Sequence, residues 1–138
     1  MIEDAAYTIA KAHAGLTALI GSGDNCRFYP AGEQTTTTLP RVEYVKEPPR
    51  PIQGVWLDTG WFHTSFDLLV LAATAREAGL VVEQLRSCFA RYHSAGAVVG
   101  STSHKVDDIE TVEADAAADY DRELGCYMQN IAFEFFHN

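Results

Sequence analysis

The stretch from Trp61 to Ala73, WFHTSFDLLVLAA, constrains the fold most strongly because its residues alternate between two different faces. Successive side chains of a strand point to opposite faces of a sheet, so every second residue from Phe62 to Ala72 shares one face. That face is nearly all apolar, whereas the face from Trp61 to Leu71 is polar early and apolar late. The pattern predicts a central strand with one covered face and with only the end of the other face covered.

The four residues TARE that follow this strand form a helix-start signal known as a capping box. Thr74 can accept a hydrogen bond from the backbone of Glu77, and Glu77 can reach back towards the start of the helix. Apolar residues then recur at helical spacing from Ala78 to Tyr92. Residues 3 to 20 show the same periodicity and predict another helix, which Gly21 ends.

Shorter segments complete a sheet around the central strand. The segments CRFYP (26–30) and PRVEYVK (40–46) predict strands that precede it. A weakly alternating segment at 103–112 and a strong one at 123–136 predict two strands after the second helix. The order of elements predicts an α+β fold, with a mostly antiparallel four- to five-stranded sheet and two helices packed on one face. The length of 138 residues suits a single domain spanning residues 1–138.

The segment KEPPRPIQG, from Lys46 to Gly54, lies between two predicted strands. Its PPRP run fits the P-x-x-P pattern of peptides that bind aromatic grooves. Its position within one predicted sheet favours a different interpretation, in which the prolines end the preceding strand and hold the crossing rigid.

The charge balance argues against a surface that grips nucleic acid. Ten Lys and Arg face nineteen Asp and Glu, a net charge of −9, and affinity for phosphates comes mainly from cations. Eight of the acids fall between Asp107 and Glu123, a run that begins in the weak strand predicted at 103–112 and continues through the loop to the start of the last strand. This run is either a solvated loop, a calcium site, or a surface that repels a polyanion. It lacks the ligand spacing of an EF-hand loop.

We predict no catalytic, cofactor or metal site. The histidines have no metal-type spacing, and His63 and Asp67 are separated by about 13 Å along a strand, too far for a dyad. The glycine-rich segment 21–25 lacks the lysine of a phosphate-binding loop. The cysteines at 26, 88 and 126 support neither a disulfide framework nor a zinc site, so we expect buried, reduced thiols.

No targeting segment is predicted. The start Met-Ile-Glu-Asp lacks the basic and apolar regions of a secretory signal, and the longest apolar run, Leu68–Ala73, is too short to cross a bilayer. We therefore expect a protein that does not enter membranes and that is assembled in the cytoplasm.

Three segments, in this order, resemble the tail terminator or tail completion proteins of long-tailed bacteriophages, prophages and phage-like particles. They are LPRVEYVKEPPRPIQG (39–54), HTSFDLLVLAATAREAGLVVEQLRSCF (63–89) and YMQNIAFEF (127–135). The resemblance also includes a helix that ends near LI, a segment like RFYP, and an acidic stretch before the final strand. It extends over nearly the whole chain, although it contains no catalytic signature.

The resemblance implies a structural, non-enzymatic virion protein of the tail neck, without a cofactor. Such proteins form a ring, commonly a hexamer, that caps the tail tube and joins it to the head connector or stopper protein. Genome DNA passes through the lumen without specific binding. The alternatives are another neck or tail-tube protein, or a small ferredoxin-like ligand-binding domain or enzyme.

Two surfaces are predicted for such a ring. Arg41 and Glu43 lie on a predicted edge strand that can pair sideways with a neighbouring subunit, so Glu43→Pro should weaken assembly. Lys46 and Arg50 lie in a long loop that can project towards acidic groups of a neighbour. Acidic residues would line the lumen or an interface: Asp107, Asp108, Glu110, Glu113, Asp115, Asp119 and Asp121.

Overall fold

The computed structural model describes residues 2–32, 38–53, 58–90, 92 and 105–138. Parts of several predicted segments lie outside these residues. They include the end of KEPPRPIQG at Gly54, the start of the segment at 103–112, and the two histidines His93 and His104.

The helices begin and end close to the predicted positions, with one break. Their bounds are α1 Ile2–Ala12, α2 Ala14–Ile20 and α3 Ala75–Phe89, with a short 3₁₀ turn at Gly23–Asn25. The predicted first helix is therefore two helices, because His13 has an extended backbone (φ −91°, ψ 109°). The Nδ1 atom of His13 accepts a hydrogen bond from the backbone N–H of Leu16 at 3.2 Å, which caps α2.

The capping box at the start of α3 is confirmed. The Thr74 hydroxyl accepts a hydrogen bond from the Glu77 N–H at 3.1 Å, and the Glu77 carboxylate accepts one from the Ala73 N–H at 3.3 Å. The return bond thus reaches one residue further back than the usual box. The helix ends at Phe89, before the predicted end at Tyr92.

Seven strands form one mixed sheet in the described part of the chain. They are β1 Phe28–Pro30, β2 Arg41–Lys46, β3 Arg50–Gln53, β4 Asp58–Ala72, β5 Val106–Ala114, β6 Asp119–Asp121 and β7 Cys126–His137. The order is β1-β2-β4-β7-β5, with β3 on β4 and β6 on β7. The β1–β2 pair is parallel and the other described pairs are antiparallel.

The α+β, mostly antiparallel prediction is therefore confirmed, but the strand count and helix count were too low. The strand count differs because two short strands, β3 and β6, extend existing rows of the sheet. β2 pairs with residues 66–71 of β4, and β3 pairs with residues 58–63 of the same strand edge. β6 likewise follows β5 along β7, so seven strands occupy five rows.

The core lies between the helices and the face of β4 that the sequence marked as apolar. Phe66, Leu68 and Val70 are at most 2% exposed. Phe66 packs on Phe135 of β7 with ring centroids 4.7 Å apart, and Phe89 of α3 packs on β7 as well. Because each fully buried Phe contributes about 1.5–3 kcal/mol, this aromatic layer fixes the helices to one face of the sheet.

On the opposite face of β4, Leu71 is buried whereas Asp67 is exposed, so the prediction for that face is confirmed. We call this the open face because the described helices pack against the other one.

The segment KEPPRPIQG is partly a strand. The connection between β2 and β3 consists of Glu47, Pro48 and Pro49, and the chain re-enters the sheet at Arg50. The prolines do end β2, as predicted, but the long projecting loop is wrong. Pro51 lies within β3, where its missing N–H is tolerated because β3 borders no described strand except β4.

Candidate assembly surface

Arg41 and Glu43 do not lie on an edge strand, contrary to the prediction. β2 lies between β1 and β4, and Glu43 is in register with Tyr29 on one side and Leu69 on the other. The short segment at Phe28–Pro30 adds a parallel strand outside β2, which period-two alternation within β2 could not reveal. A proline at position 43 would therefore disrupt an internal strand instead of removing a free amide.

The side chains of Arg41 and Glu43 form an ion pair with each other on the open face. The Arg41 Nε and Glu43 Oε1 atoms are 3.2 Å apart, and the two side chains are only 9% and 11% exposed. Their charges are thus neutralised within the chain. The thiol of Cys126 lies close to this pair, and burial raises its pKa although the charge of Arg41 acts in the opposite direction.

Lys46 is also held within the chain. Its Nζ atom lies 2.8 Å from Oε1 of Glu3, so the pair ties α1 to β2. Burial alone would raise the pKa of Glu3, but the hydrogen bond and charge of Lys46, with further backbone and N-terminal contributions, outweigh it and lower that pKa. Because both side chains are about one-fifth exposed, Lys46 is a poor candidate for a contact with another molecule.

Arg50 differs from the other three predicted interface residues. It is exposed at the start of β3, and it forms no ion pair with any residue in the described ranges. The register places Arg50 beside His63 of β4. The same row continues through Phe136 of β7 to Asp108 of β5. One row across the sheet therefore has a cation at one edge and acids at the other.

The acidic run is mostly strand: the weak strand predicted at 103–112 is present as β5 over its described residues, and the loop predicted after it contains the end of β5 and the short β6. Asp107, Asp108, Glu110 and Glu113 lie on β5, and Asp119 and Asp121 on β6, with Asp115 in the connection. The register of β5 on β7 shifts twice, between Val106 and Asp108 and between Thr111 and Glu113. These bulges account for the weak alternation of the strand predicted at 103–112. The acidic residues thus border the far edge of the sheet.

Three of these acids have local structural roles. The Asp108 carboxylate accepts a hydrogen bond from Ile109 N–H, and the Asp121 carboxylate accepts one from Leu124 N–H at 2.9 Å. Asp115 accepts a bond from Asn130 N–H, also at 2.9 Å. Glu110 is exposed and is the Cα partner of Glu134.

A histidine–carboxylate contact on the open face was not predicted. The Nδ1 atom of His63 makes a short contact with Oε1 of Glu134, and the imidazole stacks on Phe136 with centroids 6.1 Å apart. The partner of His63 is therefore across the sheet and not at Asp67, a pairing that requires the strand register. Within the described residues no hydroxyl or thiol is hydrogen-bonded to this imidazole, so the pair lacks a nucleophile to activate.

The described residues contain no group of three His, Cys, Asp or Glu side chains that could hold a metal ion. The three thiols are buried and unpaired with one another, as predicted. Burial raises the pKa of Cys88 to about 12, which keeps this thiol protonated and unreactive. No helix in the described part of the chain is long and apolar enough to span a bilayer.

The fold of this chain is similar to that of a chain in a solved structure. The chain aligns with a solved structure described as "Virion of native gene transfer agent (GTA) particle", with a TM-score of 0.62. The alignment covers 95% of this chain and 90% of that chain at 16% sequence identity. The two chains therefore share a fold over almost their whole length. No protein family model and no curated protein matches this sequence.

Proposed function

We propose that this chain is a structural protein of a phage-like virion and not an enzyme. The observation that carries this proposal is the shared fold with a chain of a gene transfer agent virion, because the alignment covers nearly all of both chains. The resemblance of three sequence segments to phage tail terminators points independently to the same class of particle. The short contact of His63 with Glu134 has a structural explanation in joining β4 to β7.

Within that class, we propose the role of a tail terminator. Copies of the chain form a closed ring, commonly six in the resembling proteins, that caps the tail tube and stops its growth. The other face of the ring joins the head connector or stopper protein, so the protein belongs to the neck of the virion. The segment order supports this choice over other neck and tube proteins.

Genome DNA passes through such a ring without specific binding. The net charge of −9 supports this part of the proposal, because an acidic surface repels phosphates over roughly 8–10 Å at moderate salt. The acids of β5 and β6 are candidates for the lumen or for a subunit interface.

Electron microscopy of the purified protein tests the terminator role against its nearest rival. A terminator gives isolated rings, and it shortens tubes when it is added to polymerising tail-tube protein of the same particle. A tube protein instead polymerises alone into long tubes. Copolymerisation without any effect on tube length would exclude the terminator role.

Native mass spectrometry separates the proposal from a small ligand-binding domain or enzyme. We expect assemblies of about six chains without a bound small molecule. A stable dimer that retains a small molecule would contradict a structural role and favour the ferredoxin-like alternative.

A further inference from the structure

We infer that neighbouring subunits meet through opposite edges of the sheet, with Arg50 on β3 of one copy facing the acids of β5 on the next copy. The inference rests on the proposed function in one respect, namely that the occupant of each edge is a second copy of this chain. It assigns the β5 acids to a subunit interface.

The first observation is the position of the two edges. Among the described strands, β3 borders only β4, and β5 borders only β7. The row from Arg50 to Asp108 crosses four strands, so its ends are about 14 Å apart, three inter-strand spacings. Within the described residues Arg50 forms no ion pair with an acid of β5.

The second observation is the charge of each edge. The sequence from Asp107 to Asp121 contains seven acids and neither Lys nor Arg. Arg50 is an exposed cation on β3 without an ion-pair partner in the described residues. The planar guanidinium of an arginine can bind carboxylates through two parallel hydrogen bonds, which fixes orientation as well as adding affinity.

The same features disfavour contacts between identical edges. Pairing β5 with β5 would place acids against acids, and like charges directly opposite each other destabilise a pair of strands. A β3–β3 pair would bring two Arg50 side chains together, and Pro51 offers no N–H to such a ladder. A contact of β3 with β5 avoids both conflicts, and such a contact between unlike edges can repeat from copy to copy and close into a ring. Because of Pro51, we assign this contact to side chains and not to a continuous backbone ladder.

Disulfide trapping between two variants, each with one added cysteine, tests the contact directly. Pro51→Cys places a thiol on β3 and keeps Arg50, whereas Thr111→Cys places one on β5 and keeps every acid; both positions are exposed. The native thiols are buried and do not compete. We expect the oxidised mixture to yield roughly tenfold more covalent dimer than either variant alone. Ser87→Cys, at an exposed position of α3, replaces Thr111→Cys in the control mixture.

The charge dependence is measured in the same assay. Arg50→Glu in the Pro51→Cys chain should reduce trapping at least about tenfold, because like charges then face each other. Arg86→Glu, an identical charge change on exposed α3, should leave trapping unchanged. Equal trapping in the Ser87→Cys control, faster trapping within one variant alone, or equal effects of the two arginine changes would each overturn the inference.

A measurement without added cysteines guards against misfolded variants. Sedimentation of the wild-type chain, Arg50→Glu and Arg86→Glu should show weaker association for Arg50→Glu alone. Comparable association of the two variants counts against the contact. If the wild-type chain forms rings but the Pro51→Cys and Thr111→Cys chains do not trap each other, this inference is overturned and the terminator role is left intact. Trapping in a protein that forms long tubes would instead overturn the terminator role and leave the edge contact standing.

Discussion

Replacing Arg41 with methionine provides a sharp test of what the buried ion pair on the open face does. The Arg41→Met side chain has similar length and keeps much of the apolar packing, but it leaves the Glu43 carboxylate without its cation. The two side chains are 9% and 11% exposed, so the remaining charge would be largely withdrawn from water. Breaking a buried ion pair by removing one partner costs about 3–5 kcal/mol, and we expect the low end, about 3 kcal/mol, because some exposure remains.

Urea denaturation followed by circular dichroism measures this loss. With a denaturant slope of about 2 kcal/mol per molar, a loss of about 3 kcal/mol lowers the unfolding midpoint by about 1.5 M. Glu43→Leu should have a similar effect, because it leaves the arginine unpaired. The double variant Arg41→Met/Glu43→Leu replaces both charges with apolar groups and should recover to within about 1 kcal/mol of the wild-type free energy of unfolding.

The double variant also separates folding from assembly. If the pair is structural, this variant is stable and still forms rings, since the charges are satisfied within one chain. Single losses below about 1 kcal/mol that simply add would refute the structural reading, because that is the behaviour of solvated surface charges. A stable double variant that no longer assembles would instead restore the prediction that both residues contact a neighbouring subunit.

Three further predictions concern stability and reactivity. Because the folded pKa of Glu3 is lowered, its contribution to stability is present above its unfolded pKa and is lost as the pH falls through the folded value. Glu3→Gln should therefore lower the free energy of unfolding by about 0.5–1 kcal/mol at pH 7, and urea melts at acid pH should show a smaller loss. Thr74→Ala removes the cap of α3 and should lower the free energy of unfolding by about 1 kcal/mol, whereas Thr74→Ser should not, as thermal melts will show. The thiols should resist a disulfide reagent at pH 8 until urea unfolds the chain, since all three are buried; rapid labelling of Cys88 in the folded chain would contradict its position.

The parts of the fold that follow from the sequence are those with a strong local signal. The alternation along β4 and the capping box at Thr74 each occur within a few residues and require no knowledge of the rest of the chain. The break of the first helix at His13 could not be predicted in this way, because an apolar stripe continues across it. Only the hydrogen bond from Leu16 N–H to the His13 ring reveals a second helix start.

The candidate assembly surface depended on long-range pairing, which the sequence does not specify. Arg41 and Glu43 had the alternation of an edge strand, but β1 covers that edge through a parallel pairing with a segment of only three residues. Lys46 was expected to be projecting because its partner, Glu3, is distant in the sequence. Arg50 lies on β3 and not in the predicted loop, yet among the predicted interface cations it is the one that the structure places on an exposed edge.

The position of Glu110 supports the proposed contact between the acidic edge and Arg50 of a neighbouring copy. Glu110 is directly opposite Glu134 on the neighbouring strand, an arrangement of like charges that destabilises a pair of strands. The His63 ring already contacts Glu134 from the other side, so Glu134 is held in place and cannot turn away from Glu110 without losing that contact. The register therefore keeps these two carboxylates on neighbouring strands of the same face. In the proposed contact, a guanidinium from the next subunit would lie near Glu110 and offset the negative charge of this edge.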